Sequence, residues 1–166
     1  MDKQEPPHPH SSSAIEAIVG LWRLVSADNW DPATKSWTPY VFGNPPSGYF
    51  IFDPTGHASV QIMTTPPVSI ASPDNPTPIE ALKIFNNYIG YYGTYTLDAG
   101  NIHVLVEGAW DPSQVGTDQV RPYELRGDTM IIGDQVTYRR TLQRVVGATH
   151  PLSRPRSDDD EPGLVR

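Results

Sequence analysis

Turn-forming residues interrupt this chain so often that no long helix can be written through it. Eighteen prolines and 13 glycines fall among 166 residues, and each proline removes a backbone donor and fixes its own φ. A helical bundle is thereby excluded. Between the breaks, runs rich in Val, Ile, Tyr, Thr and Trp recur at short intervals, the pattern of an antiparallel meander rather than of alternating strand and helix units. Strands are expected near 20–28, 47–53, 57–63, 89–97, 101–109, 118–126, 129–133 and 135–145. The turns Asp53-Pro54-Thr55-Gly56 and Asp98-Ala99-Gly100-Asn101 place glycine or asparagine where positive φ is needed, and Arg126-Gly127-Asp128 and Gly133-Asp134 repeat the device. A meander of about eight strands closes most simply into an all-β, antiparallel up-and-down barrel, and closure also removes exposed edges.

Two short helices interrupt the strands. Ser13-Ala14-Ile15-Glu16 and Thr77-Pro78-Ile79-Glu80 both have capping-box spacing, the second with proline at the favoured first helical position. The second helix should run to about Asn87, with Ile79, Leu82 and Phe85 on a face turned toward the barrel mouth or wall. Before it, Thr64 to Pro76 carries four prolines and no strand period, which marks a lid over the mouth. The ends are polar: residues 1–12 and 147–166, the latter with the run Asp158 to Glu161, hold too little apolar content to offset ordering entropy. One domain, 13–146, remains between two disordered tails.

Several function classes drop out on composition. Cysteine is absent, so disulfides, thiolate metal sites and a cysteine nucleophile are excluded. The 13–146 stretch carries 13 acids and 8 bases within a chain of net charge −7, a balance that disfavours nucleic acid and anionic membrane. No apolar run is long enough for a transmembrane helix, and Met1 to Ser13 lacks the apolar core of a signal peptide, so a cytoplasmic protein is expected. No phosphate loop, dinucleotide-binding glycine motif, nucleophile elbow or metal-spaced triad is present, and three of the five histidines, His8, His10 and His150, lie in the tails. Neither metal nor cofactor is expected, which leaves acid–base chemistry or plain binding.

Gly20-Leu21-Trp22 opening the first strand, with Arg139, Arg140 and Arg144 in the last, resembles the Gly-x-Trp and late-arginine signature of the lipocalins and wider calycins. Gly48-Tyr49, Tyr91-Tyr92-Gly93-Thr94-Tyr95, Val106-Glu107-Gly108 and Val115 to Arg121 follow in order, and the set is similar to the family called lipocalin-like domain over about residues 18–146. The resemblance implies a barrel with an internal cavity, with Trp22 closing one end beneath a last-strand arginine. It also implies kinship with cofactor-free cyclases, isomerases or dehydratases that act on polyketide or terpenoid intermediates. Three positions depart from the pattern. Val104 and Leu105 stand where members often carry histidines, with His103 one step earlier, and Leu142 replaces a common tryptophan.

Alternation sorts the strand after Gly100 into Ile102, Val104 and Val106 on one face and His103, Leu105, Glu107 and Ala109 on the other. A register that sets Glu107 opposite Arg121 also sets Leu105 opposite Tyr123 and Ala109 opposite Gln119. Turned inward, that face is a polar cluster in an apolar cavity; turned outward, it is a surface ion pair worth little. In the inward reading Glu107 is the base, Arg121 stabilises it or a developing enolate, and Tyr91 or Tyr95 donates a proton. His57 is a second candidate base, near Gln61. Trp22, Tyr49, Gln61, Tyr91, His103, Gln119 and Tyr123 complete the expected ligand-binding set, with Gly93 leaving room between Tyr91 and Tyr95. The leading expectation is a cofactor-independent enzyme acting on an apolar, oxygenated small molecule. A non-catalytic carrier or sensor using the same cavity is the alternative, an adaptor acting through the acidic tail is a third reading, and a homodimer is compatible with all three.

Overall fold

The computed structural model describes residues 10–40 and 42–147. Helix α1 (His10–Ile18) leads into β1 (Gly20–Asp31), β2 (Ser36–Pro39), β3 (Ser47–Phe52) and β4 (His57–Met63). Helix α2 (Pro78–Asn86) follows, then β5 (Tyr88–Asp98), β6 (Asn101–Ala109), a 3-10 turn Pro112–Gln114, β7 (Asp118–Arg126), β8 (Thr129–Ile132) and β9 (Tyr138–Arg144). Neighbouring strands pair antiparallel in the order β2-β1-β3-β4-β5-β6-β7-β8-β9, and β1 pairs again with β9. Eight strands therefore close a barrel, and β2 is an extra strand paired with the end of β1. The long first strand makes closure work: Gly20 to Arg23 pair with β3, Asp28 to Asp31 pair with β2, and β9 runs beside Trp22 to Asn29 across an irregularity at Leu24/Ser26.

The core follows the two-residue period. On β3, β4 and β6 the buried residues are Phe50 and Phe52, then Ala58, Val60 and Ile62, then Ile102, Val104 and Val106. Leu24, Met130, Ile132 and Leu142 join them from β1, β8 and β9. Each fully buried large side chain of this kind contributes roughly 1.5–3 kcal/mol. At Gly93 the sheet comes too close for any side chain, since a Cβ there would stand 1.9 Å from the Leu105 carbonyl oxygen. The glycine accommodates backbone, not the ligand space expected of it.

One end of the barrel is sealed. Trp22 is fully buried, its indole Nε1 donates to the Ile18 carbonyl at 2.8 Å, and the Arg144 guanidinium lies 4.1 Å from its ring centroid. The tight hairpin turns after β3, β5 and β7 cluster at this end, while the longer connections 40–46, 64–87, 110–117 and 133–137 gather at the other.

Several local expectations need correction. The first helix begins at His10 rather than at the Ser13 cap, so part of the expected 1–12 tail is helical; the rest of that tail, with His8, and residues 148–166 lie outside the described residues. β2 was not anticipated, because Ser36–Pro39 is too short to show a period. Helix α2 has the expected Thr77 capping box, but only Phe85 of its apolar face meets the mouth, its ring 6.0 Å from that of Trp110, while Ile79 and Leu82 are exposed at 69% and 60%. Glu80 accounts for the helix's position better than its apolar face does: it caps Thr77 and accepts from the Ala71 amide at 2.9 Å, tying the preceding loop back to the helix. Those bonds hold the Glu80 carboxyl down at about 2, the Ala71 amide first. No residue of the proline-rich 64–76 loop reaches the barrel cavity.

Candidate functional site

A cavity of about 310 Å³ opens inside the unsealed end, at the small end of the roughly 300–1,000 Å³ typical of ligand pockets. Its floor and walls are the apolar inward residues Phe50, Phe52, Val60, Ile62, Ile102, Val104 and Ile132. Its upper part is chemically different. There Tyr40 and Phe42 from the β2–β3 connection, Tyr91 of β5, Trp110 and Gln114 from the β6–β7 connection, Arg121 of β7, and Tyr138 and Arg140 of β9 meet.

The polar residues get there by alternation. On β7, Arg121 sits opposite Ile102 and Gln119 opposite Val104, and residues directly opposed across antiparallel strands share a face. Arg121 therefore points inward with Gln119, whose Oε1 accepts from its Nη2 at 2.6 Å while the Val120 carbonyl accepts from Nη1 at 2.8 Å. Arg140 lies on β9 two and four residues before Leu142 and Arg144, on the same inward face. Its Nη1 donates to the Asp28 carbonyl at 2.8 Å and to the Asn29 side-chain oxygen at 3.1 Å, and its guanidinium stands 4.8 Å from the Tyr40 ring and 5.4 Å from the Tyr138 ring. Burial lowers the Arg140 pKa, though a guanidinium stays charged at neutral pH. Burial likewise raises the Tyr91 phenol, while the nearby Arg121 charge pulls it partly back, so at neutral pH this hydroxyl is a donor.

The expected site divides between the two sides of the wall. Arg121, Tyr91 and Gln119 face inward, the first two lining the cavity. Tyr123 is half-buried against the core below it. Tyr95 is buried too, but its hydroxyl donates to the Asp53 carbonyl at 3.1 Å and its ring meets Phe52 edge-on, outside the cavity lining. Trp22 belongs to the plug. Glu107 is exposed on the outer face, because the true register sets Leu105 opposite Asp118 and leaves Glu107 beyond β7. The Glu107–Arg121 pair does not form, and the polar face of β6 is the outward one. His57 is exposed, with Nδ1 2.9 Å from the Thr55 hydroxyl; Tyr49 stacks with Arg23 on the outside; Gln61 borders a shallow outer groove with Ser59 and Tyr92. His103 is also outside, where its ring nitrogens lie 2.8 Å from Asp118 and 2.9 Å from Asp98.

Arg140, Tyr40, Tyr138, Trp110 and Gln114 were not anticipated as cavity residues. For Arg140 and Tyr138 a signal existed, since alternation in β9 places them with Leu142; the others come from irregular connections. Among the described residues no three His, Asp or Glu side chains are arranged to hold a metal ion, and no helix is long and apolar enough to cross a membrane.

A closed antiparallel barrel of eight strands, plugged at one end and hollow at the other, has an interior consistent with binding a small molecule. Residues 19–146 match the family described as lipocalin-like domain, and the chain belongs to that family. No curated protein matches the sequence. Among solved structures, it is similar to a lipocalin-like protein from Bacteroides uniformis, at 10% identity and TM-score 0.44, over 78% of this chain and 99% of that one. A protein from Bacteroides eggerthii is similar at 13% identity and TM-score 0.43, over 76% of this chain and 98% of that one.

Proposed function

We propose that the protein binds one compact, largely apolar molecule bearing oxygen in the barrel interior. The observation that carries this reading is the two-part cavity: apolar residues fill its depth, and Tyr91, Gln114, Arg121 and Arg140 supply convergent polar groups near its mouth. Such a division orients a ligand, with desolvation of the apolar body driving affinity and the polar groups fixing which end points outward. Two adjacent β6 positions test it. Val104→Phe fills the cavity from inside, while Leu105→Phe changes the same strand outside. Titration with the neutral probe N-phenyl-1-naphthylamine should show fluorescence enhancement that Val104→Phe weakens at least about tenfold and Leu105→Phe leaves unchanged. Equal effects in two folded variants would place binding elsewhere.

A catalytic use of the same cavity has Tyr91 in its favour. A buried phenol held protonated beside a guanidinium can donate to an oxygen that gains charge during an isomerisation, cyclisation or dehydration, and a polyketide- or terpenoid-like intermediate would suit the cavity. Against it, no carboxylate or imidazole among the described residues lines the cavity to act as base, so binding without turnover is the stronger reading. Tyr91→Phe separates the two: an enzyme loses turnover with affinity nearly kept, whereas a carrier has no turnover to lose.

A further inference from the structure

Two guanidinium groups share the cavity wall with no carboxylate at ion-pair distance among the described residues. Of the six arginines among the described residues, Arg126, Arg139 and Arg144 have carboxylate partners, at 2.5 Å to Glu124, 3.2 Å to Asp28 and 3.4 Å to Asp128, while Arg23 is exposed and stacks on Tyr49 outside the barrel. Arg121 and Arg140, the two that line the cavity, have none within ion-pair distance. A shortage of acids is not the reason, because the chain has net charge −7. The nearest acid is in use elsewhere: Asp28 Oδ2 takes Arg139 and the Ser26 hydroxyl, leaving Arg140 only the backbone carbonyl of the same residue.

Burial is what chiefly disfavours the Arg140 charge; Asp28 lies near enough to favour it without an ion pair, and Arg121 adds a smaller disfavouring effect. Stacking on Tyr40 and Tyr138 offsets part of this. Donors also remain. Among the described residues, Nε and Nη2 of Arg140, Nε of Arg121 and the Tyr91 hydroxyl have no hydrogen-bond acceptor, while every bond these side chains do make goes to a neutral oxygen. A carboxylate has two oxygens and about four acceptor positions, which matches that supply in number and sign.

Resting on the interior binding proposed above, we propose that the ligand is an organic anion: a compact apolar body carrying one carboxylate, which sits between Arg121 and Arg140 and accepts from the Tyr91 hydroxyl. The apolar body extends toward Phe50, Val60 and Val104.

Calorimetric titration of the full chain with 2-naphthoate and with 2-naphthamide, an uncharged molecule of nearly the same shape, tests this directly. The acid should bind at least about tenfold more tightly than the amide, a ratio worth about 1.4 kcal/mol. Arg121→Gln should reduce that ratio several-fold with amide affinity kept, Arg121→Lys should retain most of it, and the double change with Arg140→Gln should bring it near one. Should Arg140→Gln fail to fold, Arg121→Gln alone decides, with its melting temperature as the check. Equal binding of acid and amide, both abolished by Val104→Phe, would overturn the carboxylate assignment and leave interior binding standing. A ratio untouched in folded Arg121→Gln would also overturn it. If neither probe binds up to its solubility limit, both readings fall.

Discussion

The two ends of this barrel each receive an arginine from β9, and the two arginines are used in opposite ways. Arg144 stacks on Trp22, donates to the Ala17 and Val19 carbonyls that α1 leaves open, and lies 3.4 Å from Asp128. Its charge and donors are spent on structure. Arg140, four residues earlier on the same face, stacks on Tyr40 and Tyr138 and donates only through Nη1 to neutral oxygens. A spacing of four residues is roughly 13 Å along a strand, enough to carry one residue type from a plug to a cavity mouth. Surroundings decide the role. Where α1 presents unpaired carbonyls and an acid forms an ion pair, arginine closes the barrel; where the neighbours are phenols and the Asp28 carboxylate is bonded to Arg139 instead, donors are left without a protein partner.

Substitutions at the sealed end should cost most. Trp22→Ala empties a fully buried site, and large-to-small changes of this size cost about 3–5 kcal/mol; urea unfolding should show a loss in that range, and a loss under 1 kcal/mol would mean that the end is not held by its plug. Arg144→Met comes next. It strips the Ala17 and Val19 carbonyls of their partner, and unsatisfied groups of this kind cost about 1–3 kcal/mol. The same change at Arg140 should cost about 1 kcal/mol or less, because removing a charge that burial disfavours offsets the lost hydrogen bonds. Ligand binding should show the reverse order, with 2-naphthoate affinity falling in Arg140→Met and holding in Arg144→Met. Equal stability losses at the two positions would break the distinction between plug and mouth.

Much of the sealed end was legible in the sequence. Its turns are short and rich in glycine, aspartate and asparagine, so they fix strand ends locally, and Gly20-Leu21-Trp22 with a late arginine marks the plug. The mouth was legible only in part. Arg121, Gln119 and Tyr91 were found, but Glu107 was set opposite Arg121 across a connection too long to fix register, and a slip changes which residues face one another. The burial rule decides the face correctly: Ile102, Val104 and Val106 form the wholly apolar set on β6 and go inside, which leaves His103 and Glu107 outside. Tyr40, Phe42, Trp110 and Gln114 reach the cavity from irregular segments, whose paths depend on packing between distant elements rather than on any period within them.

The smallest effect should come from the outer wall beside the sealed end, where His103 of β6 bridges Asp98 at the end of β5 and Asp118 at the start of β7. Hydrogen bonds to Asp118 first, then Asp98, raise the His103 pKa, and burial opposes them weakly. A folded value above the unfolded one, which is about 6.5, means that the imidazolium favours the fold fully below that pH and that its contribution is lost as pH rises through the raised value. Asp98 has the opposite sign: bonds from Asn101 and then His103 lower its pKa, so its contribution is present above about 3.9 and is lost as pH falls through the depressed value. The bridge should therefore add most between these two limits. Melting curves of the parent protein and of His103→Gln should differ most near pH 5 to 6 and converge in the alkaline range. Because the bridge lies on the outer face of the wall, His103→Gln should leave the ratio of acid to amide binding unchanged at every pH. A ratio that follows His103 titration would show that the wall transmits charge between the ends, and the separation of plug from mouth would fail.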